Sequence, residues 1–189
     1  MSHPEERLQV TAIAGSLRRG SVNRALLVAA TELAPPSLDI RIVGLNDLPV
    51  YDGDVEDQGV PDAVKALREA VESADGLLIA TPEYNQGVPG GLKNAVDWLS
   101  RPPKPQSFDG RPIGVMGATP GTLGTRAAQY QLRQTLVGLN GAVMAQPMLF
   151  ISGAGQKFDA DLRLTDEPTR AHLTRYLEAF AGWVQRMRK

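Results

Sequence analysis

Short apolar runs alternate with longer amphipathic segments along the chain, and this alternation limits the possible folds more than any other feature of the sequence. Apolar runs of strand length occupy residues 8–14, 38–45, 76–80, 112–118 and 142–151, the last in spite of Pro147. After them, residues 23–33, 62–74, 89–99, 125–139 and 165–188 carry apolar side chains at helical spacing. In the second of these segments Val64, Leu67 and Val71 mark one face, and in the last Leu173, Leu177, Phe180, Val184 and Met187 do so. Pro35 and Pro36 stop the first helix, Pro61 suits the first turn of the second, and the polar, acidic stretch 53–61 between them reads as a loop.

Five strands, each followed by a helix, call for a parallel sheet with helices on both faces. Right-handed crossovers narrow this α/β class to the doubly wound folds, most simply the five-stranded flavodoxin-like order. The 189 residues fit one domain, 1–189, with residues 1–7 expected as a flexible lead. Ligands of such sheets sit at the carboxyl ends of the strands beside the switch point. The loops after the first, third and fourth strands are therefore where chemistry is expected.

Several function classes fall away on composition. With 20 basic and 21 acidic residues the formal charge is -1, which gives no electrostatic basis for binding nucleic acid or an anionic membrane. There is no cysteine, so disulfides, thiolate metal sites and thiol catalysis are excluded. Two histidines, His3 and His172, leave too little for a Ser-His-Asp triad or a histidine metal site. The segment 1–7 lacks a signal peptide's basic start and apolar stretch, no apolar run approaches the roughly 20 residues needed to span a bilayer, and a cytoplasmic location is expected.

The first loop, GSLRRGSVN from Gly15 to Asn23, combines Ser16, Arg18, Gly20, Ser21, Val22 and Asn23 at the start of a helix. Free backbone N–H groups and the positive end of the helix dipole favour an anion there. The loop is neither a G-x-G-x-x-G fingerprint nor a Walker loop, so a terminal monophosphate suits it better than a diphosphate. Alternatively, Ser21 or Asn23 caps the helix while Arg18 and Arg19 are merely solvated. The third-strand loop holds Pro82, Glu83, Tyr84, Asn85 and Gln86 between further prolines and glycines. Its aromatic face and amides suit a planar, hydrogen-bonding heterocycle, although a structural turn would use the same residues. After the fourth strand, Ala118, Thr119 and Gly121 belong to a loop of small residues that lets backbone approach a flat ligand; loop flexibility explains that segment nearly as well.

Together the segments GSLRRGSVN, TPEYNQGVPGGLKNAVDW and GATPGTLG closely resemble the NADPH-dependent FMN reductase family, which includes bacterial quinone and chromate reductases, over about residues 8–151. That resemblance implies bound FMN, with NADPH or NADH as hydride donor. It assigns Ser16, Arg18, Ser21 and Asn23 to the FMN phosphate, helped by the backbone of Gly20 and Val22. It sets Pro82, Glu83, Tyr84, Asn85 and Gln86 along the isoalloxazine and ribityl, and Ala118, Thr119 and Gly121 on the opposite wall. Many relatives have paired glycines where this chain has Gly124 and Thr125, so the shape of that wall is an open point. The implied activity is reduction of quinones, free flavin, chromate or azo compounds, with donor and acceptor taking turns at one open face. A flavin carries hydride chemistry without a protein nucleophile or imidazole, which agrees with the histidine and cysteine census.

The resemblance also implies a homodimer or homotetramer, with small-molecule acceptors as the other partners. Trp98 would then meet either a partner subunit or its own chain, and both remain open at this point. Lys93 and Asp97, four residues apart, read as a solvated ion pair. Three rival classes share parts of this pattern. A flavodoxin-type electron carrier would bind FMN without consuming NAD(P)H, but such carriers are usually strongly acidic. A phosphoacceptor domain needs acidic residues where Gly15, Ser16, Thr81 and Pro82 stand, and a hydrolase lacks its histidine.

Overall fold

The computed structural model describes residues 7–101 and 106–188. Six strands, β1 (Leu8–Ala14), β2 (Leu38–Val43), β3 (Gly76–Ala80), β4 (Pro112–Ala118), β5 (Ala142–Val143) and β6 (Leu149–Ile151), form one sheet in which every pairing is parallel. The order is β2-β1-β3-β4-β5, with β6 also paired to β4. This is the flavodoxin-like doubly wound arrangement.

Successive side chains of a strand point to opposite faces, and the core divides accordingly. Leu78 and Ala80 of β3 join the cluster under α1 (Val22–Leu33) and α6 (Glu167–Met187). Leu77 and Ile79 join the cluster under α3 (Asp62–Glu72), α4 (Gly90–Leu99) and α5 (Arg126–Gly138). Every residue of β3 and β4 is buried, which is why these strands read as unbroken apolar runs.

Two expectations need correction. The acidic stretch 53–61 is not all loop: α2 (Gly53–Gln58) forms there, with the Asp52 carboxylate accepting from the Asp54 N–H and with Asp54 and Glu56 at its amino end. Capping and charge–dipole attraction stabilise this short helix, and since none of its residues is buried it carries no apolar period. The expected strand 142–151 is two strands, β5 and β6, which reach β4 at Pro112–Ile113 and at Met116–Ala118 respectively. Pro147 has no N–H to donate to a ladder. Across the gap, the buried Arg133 guanidinium of α5 donates to the carbonyls of Met144 (2.7 Å) and Val115 (3.1 Å). The Tyr176 hydroxyl of α6 donates to the same Val115 carbonyl at 3.1 Å. Other element ends fall within two residues of the expected ones.

Trp98 is covered by its own chain. Its indole N–H donates to the Pro49 carbonyl at 2.9 Å, and Tyr51 meets its ring edge-on at 4.9 Å between centroids. Lys93 and Asp97 do form an ion pair, at 2.6 Å with both side chains partly exposed. Of the expected lead 1–7, residues 1–6 lie outside the described residues, and Arg7 donates from Nε to the Pro36 carbonyl at 3.0 Å.

Candidate functional site

The loops following β1, β3 and β4 meet in an open cleft of about 200 Å³ at the carboxyl ends of those strands. Ser16, Arg18, Gly20, Ser21, Val22 and Asn23 line it from the first loop. Pro82, Glu83 and Tyr84 line it from the second, and Ala118, Thr119 and Pro120 from the third. Pro120 had no signal in the sequence beyond its place in that loop. Asn85, Gln86 and Gly121 do not line the cleft.

The first loop is shaped by its own hydrogen bonds. The Ser21 N–H donates to the Arg18 carbonyl at 3.2 Å, closing the turn, and the Ser21 hydroxyl accepts from the Arg24 N–H at 3.1 Å. Ser21 is therefore the cap of α1 as well as a cleft residue. Asn23 does not cap. It is buried, with Nδ2 donating to the Ala118 carbonyl and Oδ1 accepting from the Ala118 N–H, both at 2.9 Å. The backbone N–H groups of Gly20, Val22 and Asn23 have no acceptor among the described residues, and the Arg18 guanidinium makes no ion pair among them. Three free donors at a helix amino end beside an unpaired guanidinium fit a phosphomonoester.

The second loop is a two-residue hairpin. Tyr84 and Gly87 exchange backbone hydrogen bonds of 3.2 and 3.0 Å, and Asn85 and Gln86 at its tip have φ of 51° and 60°. Such φ values at both tip residues define a mirror-image turn that favours Asn or Gly and strains Gln. The turn carries Asn85 and Gln86 past the cleft and leaves Tyr84 52% exposed at its mouth. Both stems are held by α5: Glu83 Oε2 accepts from the Ala128 N–H at 3.0 Å, and Gln131 Oε1 accepts from the Val88 N–H at 2.8 Å. Gln131 is a supporting residue that a sequence reading had no means to find, because an exposed polar position on a helix has meaning only once its neighbours are placed.

The third loop is tied to the segment after β6. The Thr119 N–H donates to the Ile151 carbonyl, the Ala154 N–H to the Thr119 carbonyl, and the Gly153 N–H to the Gly121 carbonyl. This turns Gly121 toward Gly153 and away from the cleft. Gly124 and Thr125 have φ of 64° and 61°, so the conformation open to paired glycines is kept here. Thr125 is fully buried, and its hydroxyl accepts from Gln129 Nε2 at 3.0 Å. A Cβ at Gly117 would collide with the Thr125 hydroxyl and the Thr81 carbonyl, so only glycine fits there.

His172 lies on α6 outside the cleft, and burial together with Arg175 and Lys157 lowers its pKa from the ordinary imidazole value. Among the described residues no cluster of three or more acidic or histidine side chains could hold a metal ion. No helix among them is long and apolar enough to cross a membrane.

A family profile described as NADPH-dependent FMN reductase matches residues 8–156. An NAD(P)H-dependent FMN reductase of Pseudomonas aeruginosa is 46% identical over 181 residues, covering 96% of this chain and 97% of that protein. A quinone reductase of Escherichia coli is 43% identical, covering 97% and 98%. The solved structure of FerB, a flavoenzyme NAD(P)H:(acceptor) oxidoreductase from Paracoccus denitrificans, superposes with a TM-score of 0.87 at 34% identity, covering 95% and 98%. On the strength of this match over nearly the full length, the chain belongs to the NADPH-dependent FMN reductase family.

Proposed function

We propose that this chain is a single-domain, FMN-dependent NAD(P)H oxidoreductase that reduces quinones, free flavin or similar small acceptors. The observation that carries the reading is the convergence of three loops, far apart in sequence, on a cleft with a phosphate cradle at one end and an exposed tyrosine at the other. FMN bound there would supply the hydride chemistry for which the chain has no side chain of its own. The N–H groups of Gly20, Val22 and Asn23 with Arg18 would hold its phosphate. Pro82 and Ala118, both buried, close the inner side, while Glu83 and Gln131 keep the Tyr84 hairpin in place. The cleft is open at its mouth, where Tyr84 stands half-exposed, and this leaves one side to reactants.

That opening supports assembly into a homodimer or homotetramer, in which a second subunit narrows the site. Leu123, Tyr130 and Val137, spaced by seven along α5 and its lead, are 62%, 51% and 61% exposed and offer an apolar surface for association. Dependence on NAD(P)H supports a cytoplasmic location. One shared face obliges donor and acceptor to alternate, so double-reciprocal plots against NADPH at several quinone concentrations should be parallel. Intersecting lines would mean a ternary complex and a different site plan. A carrier of the flavodoxin type would show no steady NAD(P)H consumption at all.

A further inference from the structure

Arg18, Arg19 and Arg24 border a second depression, of about 510 Å³, on the far side of the first loop from the mononucleotide cleft. Ser16, Ile42 and Asn46 complete its edge, and it shares Ser16 and Arg18 with the cleft. None of its lining residues is acidic. The nearest carboxylate in sequence, Asp47, lines a separate groove with Arg41 and α3. From Glu6 to Glu32 the chain has no acidic residue, although its overall charge is only -1. The three guanidiniums make no ion pair with any described residue. Arg18 folds back toward Gly20, leaving Arg19 and Arg24 to face the depression and, over the flank of α1, a groove that Arg163 borders together with Glu32 and Asp161, neither of which pairs with Arg19 or Arg24.

A single phosphomonoester is satisfied by one guanidinium and the N–H groups at the start of α1. Two further unpaired arginines beside it, with neutral hydrogen-bonding side chains and an apolar edge, match a second phosphate carried on a nucleoside. On the functional reading above, NADPH differs from NADH by one such group. We propose that Arg19 and Arg24 form a second anion site that takes the 2′-phosphate of NADPH, and that they make this chain prefer NADPH over NADH.

The test uses the FMN-loaded protein and 2′,5′-ADP, the phosphorylated end of NADPH, in calorimetric titration, with 5′-AMP and inorganic phosphate as comparisons. Binding of 2′,5′-ADP should be at least tenfold tighter than that of either comparison. The double variant Arg19→Ala/Arg24→Ala should lose this margin, and its NADPH:NADH ratio of kcat/KM should fall at least tenfold. Both side chains are exposed and bonded to nothing among the described residues, so the variant should fold. A ratio and a 2′,5′-ADP preference that survive in the double variant would overturn the proposal, as would phosphate binding as tightly as 2′,5′-ADP. A protein that oxidises both donors with an unchanged ratio refutes this site and leaves the reductase reading intact. One that binds 2′,5′-ADP as expected yet consumes neither donor does the reverse.

Discussion

Asn23 and Ala118, ninety-five residues apart, are joined as if they were neighbours in a strand pair: the Asn23 amide both donates to the Ala118 carbonyl and accepts from the Ala118 N–H at 2.9 Å. The amide thereby ties the start of α1 to the end of β4, and with them two walls of the cleft. Asn23→Ala would leave a buried N–H and a buried carbonyl without partners, at a cost of about 2–4 kcal/mol. Urea denaturation of the two proteins measures this directly. A loss under about 0.5 kcal/mol would mean that the two loops are held by something else.

Arg18→Ala should weaken FMN binding by about 1.5–3 kcal/mol, roughly ten- to hundredfold in Kd, because a charge-assisted contact to phosphate is lost. The Arg18 side chain makes no ion pair among the described residues, so the melting temperature of the apoprotein should stay near that of the parent. Fluorescence titration with FMN gives the first quantity and calorimetry the second. Unchanged affinity would return Arg18 to the solvated surface.

Glu83 supplies from another loop the acceptor that Thr125, the residue preceding α5, does not provide. Glu83→Ala should cost about 1 kcal/mol, the usual value of a helix cap, and should loosen the Tyr84 hairpin. Glu83→Gln keeps an acceptor oxygen and should recover most of the loss. Thermal unfolding of both variants decides it, and equal melting temperatures for Ala and Gln would remove the capping role.

His172 should matter to stability at low pH and not to turnover. Its folded-state pKa is lowered, so as the pH falls the unfolded chain takes up the proton first; the contribution is present above about pH 6.5, the ordinary imidazole value, and is lost as the pH drops below it. His172→Gln should therefore lose less stability than the parent between pH 7.5 and 5.5 in urea titrations. Its turnover number should stay within threefold, about 0.7 kcal/mol of barrier. A hundredfold loss of turnover with flavin bound would require a protein acid at that position.

What was legible in the sequence, and what was not, follows from what side chains report. β3 and β4 announced themselves because strands buried on both faces are apolar throughout, as Gly76–Ala80 and Pro112–Ala118 are. The break between β5 and β6 was hidden because Met144 and Leu149 keep the segment apolar, while the missing N–H of Pro147 changes no hydropathy. α2 was hidden for the opposite reason, having no buried residue to give it a period. At the site, residue types pointed to Ser16, Arg18 and Pro82 in loops that line the cleft. Whether a loop residue reaches the cleft depended on turn geometry: the hairpin swings Asn85 and Gln86 beyond it, and the bond from Gly153 turns Gly121 aside. Asn23 was expected to hold phosphate through its side chain, and the structure engages that amide with Ala118 while its backbone N–H stays free.

The most direct test of the account is an absorption spectrum of the purified protein mixed with FMN and freed of excess, followed by anaerobic addition of NADPH. The account predicts that FMN stays with the protein in preference to FAD and that its visible absorption is bleached by one equivalent of NADPH and restored by a quinone. Retention of FAD with little affinity for FMN would contradict the monophosphate cradle of Arg18, Gly20, Val22 and Asn23, and bound FMN that NADPH leaves oxidised would contradict the reductase itself.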